Sequence, residues 1–259
     1  ATKGAPVGTL WVVTGFAGEV TLAERAGVVL AEVVGSVATE EGLLATIKDA
    51  QARLAKRPND PDTWIPFACR TLAAPVTFAL HYSLGPPQFD WGKLKEPVRL
   101  NCRDETAQLL AEPQLFEEVV LSSGAVGGGS WRAATELRFD ISAARVASNA
   151  NVFERELIRE KLPEAQVAPL ANEVAHTLSG IAMWPELVLD KEGTLVVSSR
   201  GPRGEHAKSH WQTVVALFSA RPVSLPAERA VLTLDASVSG GSRIDDPCAY
   251  RLRAQLVGE

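Results

Sequence analysis

The sequence predicts an α+β fold, and three observations carry that prediction. Helical periodicity concentrates at 39–57 and again after residue 151, apolar alternation recurs at 76–84 and 131–141, and the last third consists of closely spaced strand patterns. This order gives a mixed N-terminal half with helices, then an antiparallel β-meander in the C-terminal half packed by two helices. A βαβ repeat would instead alternate throughout. The 259 residues suit a single α+β domain, 1–259, or two subdomains, 1–123 and 131–259, joined by the Gly-rich segment 124–130.

The apolar run 10–16 predicts a first buried strand closed by Gly15 and Gly18, and Thr21-Leu-Ala-Glu24 offers a capping box for a helix reaching about Gly35. Valines at 28, 29, 33 and 34 make a strand the rival, because β-branched side chains favour pleated surfaces. Thr39 then caps a second helix, with Leu43, Leu44, Ile47, Ala50 and Leu54 on one stripe and Lys48, Arg53, Lys56 and Arg57 toward its C-terminal half. The proline-flanked stretch 64–72 reads as a short helix or irregular cover. Residues 76–84 alternate as a strand, ended by Gly85-Pro-Pro87, and a loop at 88–97 carries Phe89 and Trp91. Asp104 and Pro113 open two short helical segments, the second holding Leu115, Phe116, Val119 and Val120.

Four glycines at 124–130 mark the strongest internal break. A half-exposed strand follows at 131–141, then helices from about Asn151 and Pro169, the latter with Gly180 at its C-terminal end. Strands at 187–189 and 194–198 flank the hairpin signature Asp190-Lys-Glu-Gly193. Runs at 213–219, 230–238 and 250–257 complete the meander.

Apolar residues make up 46% and charged residues 22%, so wholesale disorder is excluded, and a net charge of −5 argues against a surface that binds nucleic acid or anionic membrane everywhere. Three widely spaced cysteines, Cys69, Cys102 and Cys248, indicate neither a disulfide framework nor a Cys-rich zinc site. No apolar run approaches the roughly 20 residues of a membrane span, and the start lacks the apolar core of a leader. The start fits a chain whose initiator Met was removed, or a mature protein with its leader already trimmed. A cytoplasmic location without membrane contact is expected.

The segment 198–211 gathers Arg200, Arg203, His206, Lys208, His210 and Trp211, a basic, glycine-punctuated insert between apolar runs. Arginines beside glycines suit oxyanions, because guanidinium makes bidentate bonds where the backbone can approach closely, and Trp211 offers a stacking face. His206 and His210, four apart, share a helix face, but the glutamate of a zinc-protease motif is missing. The Gly-rich segment lacks the Gly-Lys-Ser/Thr ending of a phosphate loop, and Ser130 lacks the flanking glycines of a nucleophile elbow. Asp245-Asp246-Pro-Cys248 reads as a turn, Glu40-Glu41 and Glu117-Glu118 as helix surface, and His81 and His176 as packing residues.

No catalytic residue, cofactor or metal site is expected from this pattern. It points instead to a non-enzymatic binding or assembly subunit that contacts nucleic acid or another polyanion through the basic loop, with Phe89 and Trp91 free to engage a protein partner or a second copy. The rivals are a structural, oligomer-forming subunit and a metal-dependent hydrolase using His206 and His210.

Overall fold

The computed structural model describes residues 10–258 apart from 103, 123–130, 134–135, 201–208, 227–228, 242 and 244–245. Residues 10–28 carry a single 3-10 turn at Ala17–Glu19 and expose Leu10, Trp11, Val12 and Phe16, so the strand expected at 10–16 does not form. The capping-box helix is absent as well. Its valines supply β1 (Val29–Leu30), which pairs in parallel with β2 (Trp64–Ile65), as the strand reading of the β-branched residues anticipated. Between them lies α1 (Leu43–Arg53), on the expected stripe but capped by Gly42 in the left-handed region (φ 78°) rather than by Thr39.

The stretch expected to be cover is instead the start of β3 (Ala68–Phe78), a strand buried on both faces and hence without alternation. It ends at Phe78, where α2 (Ala79–Ser83) takes over the residues expected to prolong it. After β4 (Val98–Asn101), the two short helices expected near 104 and 113 are replaced by β5 (Ala107–Leu109) and β6 (Gln114–Val120). Then come β7 (Trp131–Ala133) and β8 (Glu136–Ile141). The helix pair is α3 (Ala143–Arg159), whose Ser142 side chain accepts from the Arg145 amide, and α4 (Glu164–Ala175), which carries Pro169 inside it. The remainder is β9 (Thr177–Leu178), β10 (Gly180–Val188), β11 (Val196–Ser198), β12 (Gln212–Leu217), β13 (Val223–Ser224), β14 (Ala230–Ser239) and β15 (Ala249–Gly258).

The large sheet runs β4-β12-β10-β3-β6-β7, with β11 also beside β10 and β5 beside β3, and every pairing in it is antiparallel. Its two central strands each contain a proline, which cannot donate to a ladder. Each falls in a gap: Pro75 lies between the stretches of β3 that pair with β6 (to Ala73) and β5 (from Val76), and Pro185 between those of β10 that pair with β12 (to Met183) and β11 (from Glu186). A second sheet, β15-β14-β8, completes the α+β architecture.

One core joins the large sheet to α3, α4 and the second sheet through Phe116, Phe139, Phe153, Val174, Ile181 and Leu232. The reverse face holds Phe78, Trp91, Trp184 and Val215. A third cluster packs α1, through Leu43 and Ile47, onto Trp64, Val119 and Trp211. Among the described residues no helix is long and apolar enough to cross a membrane.

Candidate functional site

Residues 34–39 are buried yet belong to no strand or helix, so their amides and carbonyls must be satisfied one at a time. Trp211 Nε1 donates to the Val34 carbonyl at 2.9 Å, and the Gln212 amide to Ser36 Oγ at 3.1 Å. Glu40 Oε2 accepts from the Val37 amide at 3.2 Å, Thr71 Oγ1 from the Ala38 amide at 2.8 Å, and Glu117 Oε1 from the Thr39 amide at 3.3 Å. Side chains from β3, β6 and the entry to β12 thereby hold a loop that has no ladder of its own. A side chain at Gly35 would put its Cβ 2.8 Å from Glu40 Cβ, so glycine is what lets the Glu40 carboxylate fold back over the loop.

Glu117 anchors this network from inside the protein, with 1% of its surface exposed. It accepts from Thr71 Oγ1 at 2.7 Å, from Tyr250 Oη at 2.9 Å and from Thr39 Oγ1 at 3.2 Å, and the Thr39 and Tyr250 hydroxyls also touch each other. Buried carboxylates persist where several donors converge on them. Burial, reinforced by Glu117, pushes the Tyr250 phenol above its ordinary range, and burial likewise raises the Cys248 thiol beside it. Both groups therefore stay protonated at neutral pH. Cys69 behind them is pushed up to about 12 by burial and the nearby carboxylates.

Carboxylates flank the buried loop at both ends. Glu32 precedes it, exposed, with its Oε1 4.0 Å from His210 Nε2, while Glu40 and Glu41 follow it. The Glu40 carboxylate receives the Arg99 guanidinium from β4. This pair sits on the wall of a groove of about 800 Å³ bounded by β4, β10, β12 and β15. Met183, Val214, Ala216 and Phe218 give it an apolar floor, and Trp91, Tyr250 and Leu252 line it elsewhere. That volume suits a small molecule or a few residues of extended peptide. The arrangement can receive a cation at its carboxylates and apolar groups along its floor. Among the described residues no three His, Cys, Asp or Glu side chains cluster as metal ligands.

Among the residues singled out in the sequence, the described ones are set apart by the fold. Arg200 is 2% exposed, its guanidinium 5.5 Å from the centroid of the Trp184 ring, and desolvation lowers it to about 10. Trp211, 8% exposed, packs in the α1 cluster and presents no free face to a base. Among the described residues of the set, His210 is the one at the surface, its ring 4.4 Å from that of Trp211. Arg203, His206 and Lys208 lie outside the described residues, as does the Gly-rich segment 124–130. Phe89 is partly exposed, its ring 4.6 Å from Trp91, whereas Trp91 is largely buried, donates to the Leu84 carbonyl at 2.9 Å and packs on Phe78 and His81.

Sequence reasoning missed Glu32, Glu40, Thr71, Glu117 and Tyr250. Glu117 reads as helix surface because Pro113 reads as a helix start, whereas the segment is β6. In a regular strand neighbouring residues face opposite ways, but the register of β3 against β6 shifts between Thr71 and Leu72, and Phe116 and Glu117 are both buried. Glu32 carried the one usable signal, a carboxylate interrupting an otherwise apolar run.

No protein-family model and no curated protein matches the sequence. Among solved structures, the chain resembles protein arginine methyltransferase 10 of Arabidopsis thaliana, described in an open conformation, with a TM-score of 0.52 and 13% identity over 96% of this chain and 75% of that one. A second similar structure is the Trypanosoma brucei PRMT1 enzyme-prozyme heterotetramer with AdoHcy, at a TM-score of 0.49 and 15% identity over 91% of this chain and 71% of that one. The expectation of a non-enzymatic subunit gripping nucleic acid is therefore corrected. The fold is one that an arginine methyltransferase carries, and the basic loop's Arg200 and Trp211 are spent on the interior.

Proposed function

We propose that this chain is the acceptor-binding part of an enzyme that transfers a methyl group to the guanidinium of protein arginine side chains. The observation that carries the reading is the carboxylate-flanked loop, Glu32 before it and Glu40 and Glu41 after it, on a fold shared over 96% of the chain with an arginine methyltransferase. Carboxylates pair with guanidinium in a planar, bidentate fashion and leave its nitrogens oriented, which is what an electrophilic methyl group requires of its acceptor. A loop pinned by buried hydrogen bonds fixes the backbone from which those carboxylates project.

A nucleotide-type methyl donor does not fit the described residues. Such donors sit where parallel strands end beside a glycine-rich turn, and the parallel pairing among the described residues amounts to two residues in each of β1 and β2 and an isolated bridge between Ala26 and Ala55. The role assigned to this chain is therefore binding and orienting the acceptor.

Titration calorimetry with blocked arginine, lysine and citrulline peptides tests this. Arginine is expected to bind best, with each of Glu32→Gln and Glu40→Gln weakening it about tenfold, since a charge-assisted pair is replaced by a neutral one. Equal binding of arginine and citrulline would overturn the reading.

A further inference from the structure

We propose, resting on that reading, that the 800 Å³ groove beside Glu40 seats the acceptor segment and selects arginines flanked by bulky apolar residues. Its charge and its apolar surface are arranged for one ligand. The carboxylate stands on the groove wall, and the protein already places a guanidinium on it, that of Arg99. Arg99 is a stand-in for the acceptor side chain: the same chemical group on the same carboxylate, reached from β4 across the groove. Below it, Ala216 and Phe218 expose apolar surface as a floor over the buried Met183 and Val214, with Trp91 and Leu252 beside it.

A basic, glycine-rich acceptor would leave that floor wet. An arginine with a leucine or phenylalanine next to it pairs with Glu40 and removes apolar surface on both partners from water. The cationic groups Arg99 and Lys95 against Glu40 and Glu96 leave the rim without net charge, so discrimination falls to the floor. An incoming arginine must also displace Arg99. The resting pair is partly solvent-exposed, at 37% and 29% of the two side chains, and pairs of that kind give way readily.

Calorimetry on the whole chain, with three blocked peptides, tests the proposal. In one, arginine is flanked by leucine and phenylalanine; in another, by serines; the last repeats the first with citrulline. The apolar-flanked arginine is expected to bind about tenfold tighter than the serine-flanked one, from roughly one apolar side chain buried. Arg99→Gln is expected to strengthen both arginine peptides about two- to fivefold by removing the competitor. Leu252→Ser should reduce the preference for apolar flanks, and the peptide comparison stands on the unaltered protein if that variant fails to fold. Equal affinity for the two arginine peptides, with binding still lost in Glu40→Gln, would overturn the groove while leaving the proposed function in place. Loss of arginine preference over citrulline would overturn both.

Discussion

Thr71→Val removes one hydroxyl and almost no volume, and the structure sets what that should cost. Thr71 Oγ1 donates to Glu117 at 2.7 Å and accepts from the Ala38 amide at 2.8 Å, both in the interior. A hydrogen bond to a charged group contributes about 1.5–3 kcal/mol, and a buried amide left without an acceptor costs about 1–3 kcal/mol, so a loss of about 2.5–6 kcal/mol is expected. Urea unfolding followed by tryptophan fluorescence measures it, because a lowered midpoint at unchanged slope reports stability alone. Thr71→Ser, which keeps the hydroxyl, should lose only about 1 kcal/mol for the methyl group. If valine and serine cost the same, or valine costs less than about 1 kcal/mol, the account of the loop as held by its interior partners is wrong.

Two further outcomes follow from the fold. His81 is fully buried on α2, and burial lowers its pKa below 6.5, with Arg221 acting in the same direction and backbone groups at Ser219 and Ala220 opposing. The unfolded chain then takes up a proton that the folded one refuses. Stability should be complete above about pH 6.5 and fall as the pH drops below it, by up to about 1.4 kcal/mol per pH unit, and His81→Gln should flatten that slope in pH-dependent urea titrations. Gly180→Ala should prevent normal folding, because the new Cβ would lie inside the Ala216 carbonyl where β10 meets β12. Soluble, cooperatively unfolding Gly180→Ala protein would refute that.

The sequence revealed the fold best where one face of an element meets water. The stripe of α1 and the alternation in β8 were legible because burial there is one-sided. β3 was not, since its burial is two-sided and Pro75 sits in a gap that only the neighbouring strands define. The helix expected at 21–35 failed for a related reason: its apolar residues pack as a loop around Trp211 and α1, a tertiary arrangement without period. The site was almost illegible. Glu40, Thr71, Glu117 and Tyr250 are scattered along the chain, and no spacing rule joins a threonine on β3 to a glutamate opposite a bulge. Arg200 misled because a guanidinium in a glycine-rich stretch reads as exposed, while the fold lays it over Trp184.

The contact between Thr39 and Tyr250 closes a separation of 211 residues. Tyr250 must therefore have left the ribosome before this clasp on the carboxylate-bearing segment can exist. On the proposed function, a nascent chain would hold no acceptor until the β14–β15 hairpin docks.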